Sequence, residues 1–360
     1  MFRPLSTGAG LALLLAVLAP AGFAEVTTLS GLALVQVEEL RFGSPGDSSV
    51  VSDTFPGTSG ELPLQVAASL VSSDPNLPAA AAAAAQFADP RTLAQPNPEE
   101  FAINLALASR SEHVRYTAHA TAQETRGVRF APGELSPGSQ AGDQVELMGR
   151  LFLDGALAVF APHAEADLRD ASVRLHVSIV KRTVGEDDET LFDGEIELVG
   201  LPNGMARVGA RGDFPVAQLV QTDLAAASDE FAAFSVLILP QLDLDYPYTA
   251  TVGQPFELIA RLEVEAESPA GDAGVAAVIG TPVDALGTVI GLTRDKATAE
   301  KFLAALERER ANPTGEPAFP RAQAPLLGLC GLFGFESLLG LLALVGLGSG
   351  LRGARRRPAA

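Results

Sequence analysis

Phe256-Glu257-Leu258-Ile259-Ala260-Arg261-Leu262-Glu263-Val264-Glu265-Ala266 decides the fold. Phe256, Leu258, Ala260, Leu262, Val264 and Ala266 are apolar. Glu257, Arg261, Glu263 and Glu265 lie between them, with Ile259 the one apolar residue out of phase. Successive side chains of a strand point to opposite faces. This period of two therefore predicts a strand with one buried and one wet face, as antiparallel sheets have.

The same pattern recurs upstream. Val114, Tyr116, Ala118, Ala120 and Ala122 alternate with Arg115, Thr117, His119, Thr121 and Gln123. Val173, Leu175, Val177 and Ile179 alternate with Arg174, His176 and Ser178. Weaker strand candidates lie at 32–37, 62–71, 101–108, 145–153, 191–199, 205–210, 231–239 and 274–279. Ala79 to Ala85 suits a helix by propensity, but its place among strands and turns reads better as a strand. Asp89 to Glu100 is proline-rich and reads as a loop. More than ten short strands separated by Gly, Pro, Asp and Ser predict an all-β ectodomain over residues 25–290, an antiparallel β-sandwich of jelly-roll-like form. A division into two sandwiches, with a break near 161–170, is left open by the sequence. Thr293 to Asn312 changes texture. Ala297, Ala304 and Ala305, with a narrow stripe of Phe302, Leu303 and Leu306, predict a juxtamembrane helix that Asn312-Pro313 ends. Residues 313–325 form a proline-containing spacer.

The two ends give an address. Arg3 precedes the apolar run Leu11 to Leu18, and small residues allow cleavage after Ala21 or Ala24. This is the pattern of a secretory signal peptide over residues 1–24. At the other end an apolar segment, 326–351, contains Cys330, Gly331 and Glu336. It is followed by the basic tail 352–360 with Arg352, Arg355, Arg356 and Arg357. Cytoplasmic flanks carry the excess of Lys and Arg. The ectodomain is therefore expected outside the cytoplasmic membrane and the C-terminus inside. Residues 337–351 alone would make a helix of about 22 Å, short of the roughly 30 Å hydrocarbon core. Starting at Leu326 gives about 39 Å, enough for a single transmembrane helix with tilt. Glu336 then lies in or at the edge of the apolar layer, where a charge is costly unless paired or protonated.

This tail resembles the C-terminal sorting domains of exported bacterial proteins, the PEP-CTERM and MYXO-CTERM types. Phe335-Glu336-Ser337 ahead of Leu338-Leu339-Gly340-Leu341-Leu342 is similar to the first type. Cys330-Gly331 with Arg355-Arg356-Arg357 is similar to the second. The resemblance covers about 35 of 360 residues. It implies a membrane protease of the exosortase, rhombosortase or myxosortase kind as a processing partner, with Cys330, Gly331, Glu336 and the three arginines as the anchoring residues. An ordinary uncut single-span anchor fits the same segment.

The chain has 44 acidic against 25 basic residues, a net charge of −19. Nucleic acid demands a basic footprint, so it is excluded as an expected partner. Envelope or matrix components remain. Arginines far outnumber lysines, which points to a high-GC bacterial genome. A single cysteine allows no intrachain disulfide.

Enzyme signatures are missing: there is no Gly-x-Ser-x-Gly, His-Glu-x-x-His or phosphate loop, and no catalytic residue or cofactor is assigned. His113 and His119 share the polar face of one strand about 20 Å apart, too far to hold one metal together. With His163 and His176 they read as solvated polar-face histidines. Glu186-Asp187-Asp188-Glu189 reads as a hairpin loop, and Asp187 and Asp188 as a candidate Ca²⁺ site. Asp243, Asp245 and Tyr246 are read as one exposed row able to grip an ion or a sugar. The sequence thus supports a surface structural or interaction protein first. A calcium- or glycan-binding module comes second and a hydrolase with an unrecognised site third.

Overall fold

A computed structural model describes residues 25–41, 44–55, 64–71, 79–87, 100–111, 115–161, 167–222, 233–271, 273–280 and 296–319. The strands in chain order are β1 (Glu25–Arg41), β2 (Ser44–Phe55), β3 (Leu64–Val71), β4 (Ala79–Phe87), β5 (Glu100–Ser111), β6 (Arg115–Arg129), β7 (Gln144–Ala161) and β8 (Ser172–Thr183). Then come β9 (Glu189–Gly200), β10 (Ala206–Gly212), β11 (Val220–Thr222), β12 (Ala233–Thr251), β13 (Phe256–Ser268), β14 (Gly274–Ile279) and, after the helix α1 (Lys296–Ala311), β15 (Glu316–Pro317).

The strands form two sheets. Sheet A has the order β10-β9-β8-β13-β6-β1-β2, and sheet B the order β15-β11-β12-β7-β14-β5-β4-β3. Neighbours pair antiparallel except for a three-residue parallel contact of β5 with β7 at residues 100–102 and 150–152. The fold is thus the all-β sandwich that the alternating segments predicted. Strands from both sides of residues 161–170 join both sheets.

The alternating run Phe256–Ala266 lies on β13, in the middle of sheet A between β6 and β8. Phe256, Leu258, Ala260, Leu262, Val264 and Ala266 all point into the space between the sheets. They meet Tyr116, Ala118, Ala120 and Ala122 of β6, Val173, Leu175, Val177 and Ile179 of β8, and the inner faces of β5, β7, β12 and β14. A buried hydrogen bond 2.5 Å long joins Ser109 of β5 to Ser268 of β13 across this interior. At two positions an aromatic ring lies over a glycine on the neighbouring strand. A β-carbon at Gly149 would come within 2.2 Å of the Tyr246 ring, and one at Gly274 within 2.4 Å of Phe160. Both pairs are directly opposite in the β-ladder, so the missing side chain is what admits the ring.

One feature of β6 breaks its own pattern. Glu124 and Arg126 follow Ala118, Ala120 and Ala122 on the inward face, and both are buried. Arg126 Nε donates to Glu124 Oε1 at 2.8 Å. The guanidinium carbon stands 4.3 Å above the centre of the buried Phe101 ring. A charge in this interior is tolerable only when paired and hydrogen-bonded.

Sheet B is buried on both faces near its centre. Ala106, Ala156, Ala158, Val236, Ile238, Ala276 and Val278 lie on the face turned away from sheet A and are still inaccessible. Helix α1 packs against β7 and β12 on this side, with Leu306 buried and Arg310 paired with Asp154 of β7. Glu309, also buried, accepts from the Thr314 backbone N–H at 3.0 Å and its hydroxyl at 2.8 Å. That ties down the turn after the helix and leads the chain into β15 at the edge of the sheet. Two-sided burial explains why Leu157–Ala161, Ser235–Leu239 and Gly274–Ile279 read as continuous apolar runs.

The helix expected at 293–312 is present over the described part of that range, as α1. β2 was not foreseen. Its Ser-Pro-Gly-Asp-Ser-Ser start looks like a loop, and it sits at the edge of sheet A, where proline is admitted. Among the described residues no helix is long and apolar enough to cross a membrane. The predicted signal peptide with Ala21 and Ala24, the 326–351 segment with Cys330, Gly331 and Glu336, and the arginines Arg355, Arg356 and Arg357 lie outside the described residues.

Candidate functional site

The outer face of sheet A carries a lattice of titratable side chains. The period of two sends His119, Thr121, Glu263, Glu265, Arg174 and His176 to one side, and the register sets them in rows. His119 on β6 stands opposite Glu265 on β13, which stands opposite Arg174 on β8. In the next row Thr121, Glu263 and His176 are opposite one another, and Glu195 of β9 follows.

Within this lattice two histidines flank one carboxylate. His119 Nε2 lies 3.4 Å from Glu263 Oε1, and its Nδ1 lies 3.8 Å from Glu265 Oε1. Thr121 Oγ1, 2.7 Å from His119 Nε2, orients the ring. On the far side of Glu263, His176 Nδ1 is 4.0 Å from Oε2, while His176 Nε2 is 2.6 Å from Asp193 Oδ1. Each glutamate turns its second oxygen to an arginine. Arg261 reaches Glu263 Oε2 at 3.0 Å, and Arg174 reaches Glu265 Oε2 at 3.3 Å. A shallow groove opens beside the group, lined by His119, Glu265 and Arg174 with Gln36, Thr117 and Glu267. His119 and His176 are partly exposed, as expected for a polar face. They are not isolated, however: each is held between carboxylates of neighbouring strands. His113 and His163 lie outside the described residues.

The positions favoured by sequence for calcium are occupied differently. Asp188 forms a two-pronged pair with Arg182, with Nε to Oδ1 at 2.9 Å and a terminal nitrogen to Oδ2 at 2.8 Å. Asp187 is exposed at the tip of the β8–β9 hairpin. Asp245 accepts from Arg150 Nε at 2.9 Å, and Asp243 lies 3.8 Å from the same guanidinium. These are cross-strand contacts between β7 and β12. The expected row of Asp243, Asp245 and Tyr246 is corrected. Tyr246 is fully buried and belongs to the inward row of Leu242, Leu244 and Tyr248. Position 246 differs in parity from 243 and 245, and a strand sends such neighbours to opposite faces.

The Asp188 pair carries a pH signature. The hydrogen bond from Arg182, aided by its charge, holds the Asp188 carboxyl below the usual carboxylate value. A carboxylate whose folded-state pKa is depressed contributes its stability above the unfolded value, about 3.9. That contribution is lost as pH falls through the folded value. Thermal melts should therefore show wild type above Asp188→Asn at pH 7, and the gap closing once the pH drops below about 3.9. The pair is solvent-exposed, so the gap is small. A gap that is constant with pH would contradict the assignment.

Sequence reading found these polar faces but not the constellation. Which strand lies beside which is set by a register that one chain's alternation does not encode. The available signal was that His119, His176, Glu263 and Glu265 all fall on the polar parity of the three best-patterned strands.

No family model and no curated protein matches the chain. Among solved structures, the infectious bursal disease virus VP2 subviral particle matches at 10% identity, over 81% of this chain and 75% of that chain, with a TM-score of 0.11. The viral particle of the same virus matches at 10% identity over 81% and 76%, with a TM-score of 0.10. Scores this low carry no argument about fold or function.

Proposed function

We propose that this chain is an exported bacterial β-sandwich held at the membrane or cell surface by its C-terminal segment, with a structural or interaction role in the envelope or extracellular matrix. It is read as a non-enzymatic protein. The observation that carries this reading is the order of elements that precedes the C-terminal segment. α1 returns along sheet B, β15 closes the sheet's edge at Glu316–Pro317, and in the sequence the apolar segment begins at Leu326 with the arginine-rich tail after it. A sandwich tethered this way keeps both the broad charged face of sheet A and the rest of the fold available to partners. The other end agrees with it. β1 spans Glu25–Arg41, with Glu25 paired with Arg129, downstream of the predicted cleavage after Ala21 or Ala24. Crossings between the sheets at β5–β6–β7–β8 and β12–β13–β14 support a jelly-roll-like reading.

Mass spectrometry of the C-terminus from native membranes tests the tether. An end near Cys330 carrying lipid or glycan is expected of a sorted protein, and an intact Ala360 in the membrane fraction is expected of a plain anchor. Recovery of the full chain, intact to Ala360, in the soluble fraction would sink both. A hydrolytic reading is favoured by one observation, the groove beside His119 and Glu265. Turnover of ester or glycoside substrates that His119→Ala abolishes would replace the non-enzymatic reading.

A further inference from the structure

The His119–Glu263–Glu265 group is a metal-binding site, we infer, of the kind that takes a divalent transition ion such as Zn²⁺. The donors are one imidazole nitrogen and two carboxylate oxygens, a set that suits zinc. The three atoms lie within 4.8 Å of one another. Metal–ligand bonds of about 2.1 Å in tetrahedral geometry need donors about 3.4 Å apart. His119 Nε2 and Glu263 Oε1 are already at 3.4 Å; Glu265 Oε1, now 3.8 Å from the other ring nitrogen, Nδ1, has to swing to the Nε2 side, and the Thr121 hydroxyl has to yield the Nε2 it now meets at 2.7 Å. His119 and Glu265 also line the groove, from which water can supply the fourth ligand.

Three features distinguish this group from an ordinary exposed acidic patch. It contains imidazole, and a second histidine, His176, stands across Glu263 within reach of the same carboxylate. Its residues sit on β6 and β13, each hydrogen-bonded along both edges, so the backbone is as rigid as the fold allows. The remaining oxygens of both glutamates are already held by Arg261 and Arg174. Outer partners of this kind orient metal ligands and tune affinity. Their positive charge also weakens cation binding, so Arg174→Gln should tighten it. This site is independent of how the chain is anchored. It differs from the Asp187, Asp188, Asp243 and Asp245 positions in donor chemistry and in place.

The test is calorimetric titration of the purified full chain with ZnCl₂, with Co²⁺ as a spectroscopic substitute. The expected result is saturable binding of one ion per chain and a visible Co²⁺ absorption band that Zn²⁺ displaces. His119→Ala, Glu263→Gln and Glu265→Gln should each weaken binding at least tenfold. Glu189→Gln, on the distant hairpin, should leave it unchanged. The glutamine variants keep size and hydrogen bonding on an exposed face, so they report even if His119→Ala misfolds. Absent saturable binding, or binding that survives both glutamine variants, overturns the proposal.

Discussion

Replacing Glu124 by alanine should lower the free energy of unfolding by about 3–5 kcal/mol, a large part of a typical domain's stability. The carboxylate sits on the inward face of β6, 1% exposed, and receives the Arg126 Nε hydrogen bond at 2.8 Å. Removing it leaves the guanidinium, 2% exposed, without that carboxylate in a place that water does not reach. Removing one partner of a buried pair costs far more than replacing both by apolar groups. The double change Glu124→Leu with Arg126→Met is therefore expected to be milder than Glu124→Ala alone. Urea unfolding of the three proteins measures this. A single-variant loss under 1 kcal/mol would show that the pair is solvated after all. Glu263→Gln, on the opposite face, serves as the comparison and should stay within about 0.5 kcal/mol.

Phe101→Ala should cost a similar amount, about 3–5 kcal/mol. Two losses combine there. The ring is fully buried, and truncation leaves a cavity between the sheets. The ring also lies 4.3 Å beneath the Arg126 guanidinium, a cation–π contact worth about 2 kcal/mol or more when desolvated. Phe101→Leu separates the terms, since it restores most of the volume without the aromatic face. A double-mutant cycle with Arg126→Met should give a coupling well above 0.5 kcal/mol, as contacting residues do. Additive losses would assign the whole effect to packing.

The fold was legible where one sheet face is wet. β6, β8 and β13 could be read because their polar faces, with His119, His176 and Glu263, interrupt the apolar positions at every second residue. Gly274–Ile279 and Leu157–Ala161 are less clear in the sequence, since both of their sides are buried. The Ala79–Phe87 run was a strand against its propensity, because tertiary pairing with β3 and β5 outweighs the helical preference of alanine. Glu124 and Arg126 stayed hidden because a single sequence shows their charge but not the partner that makes burial tolerable. Tyr246 has the opposite parity to Asp243 and Asp245, so strand geometry alone separates it from them. The candidate site was legible only as separate polar faces, because its donors come from two strands, with His119 and Glu263 144 positions apart in the chain and joined by register alone.

β13 and β14 are consecutive in the chain, yet each occupies the middle of a different sheet. Until β13 is in place, β6 with β1 and β2 forms one half of sheet A, and β8 with β9 and β10 another, with no strand between them. β14 likewise fills the gap between β5 and β7, which otherwise share only three residues. Residues 256–279 therefore complete both layers at once, late in synthesis. Such long-range closure makes for slow acquisition of the native state. A chain emerging N-terminus first would pass through a stage with four open strand edges, the kind of surface that invites mispairing. Closure of both sheets has to wait until Ile279 has been made, and truncation before Phe256 should yield an aggregating product rather than a smaller stable unit.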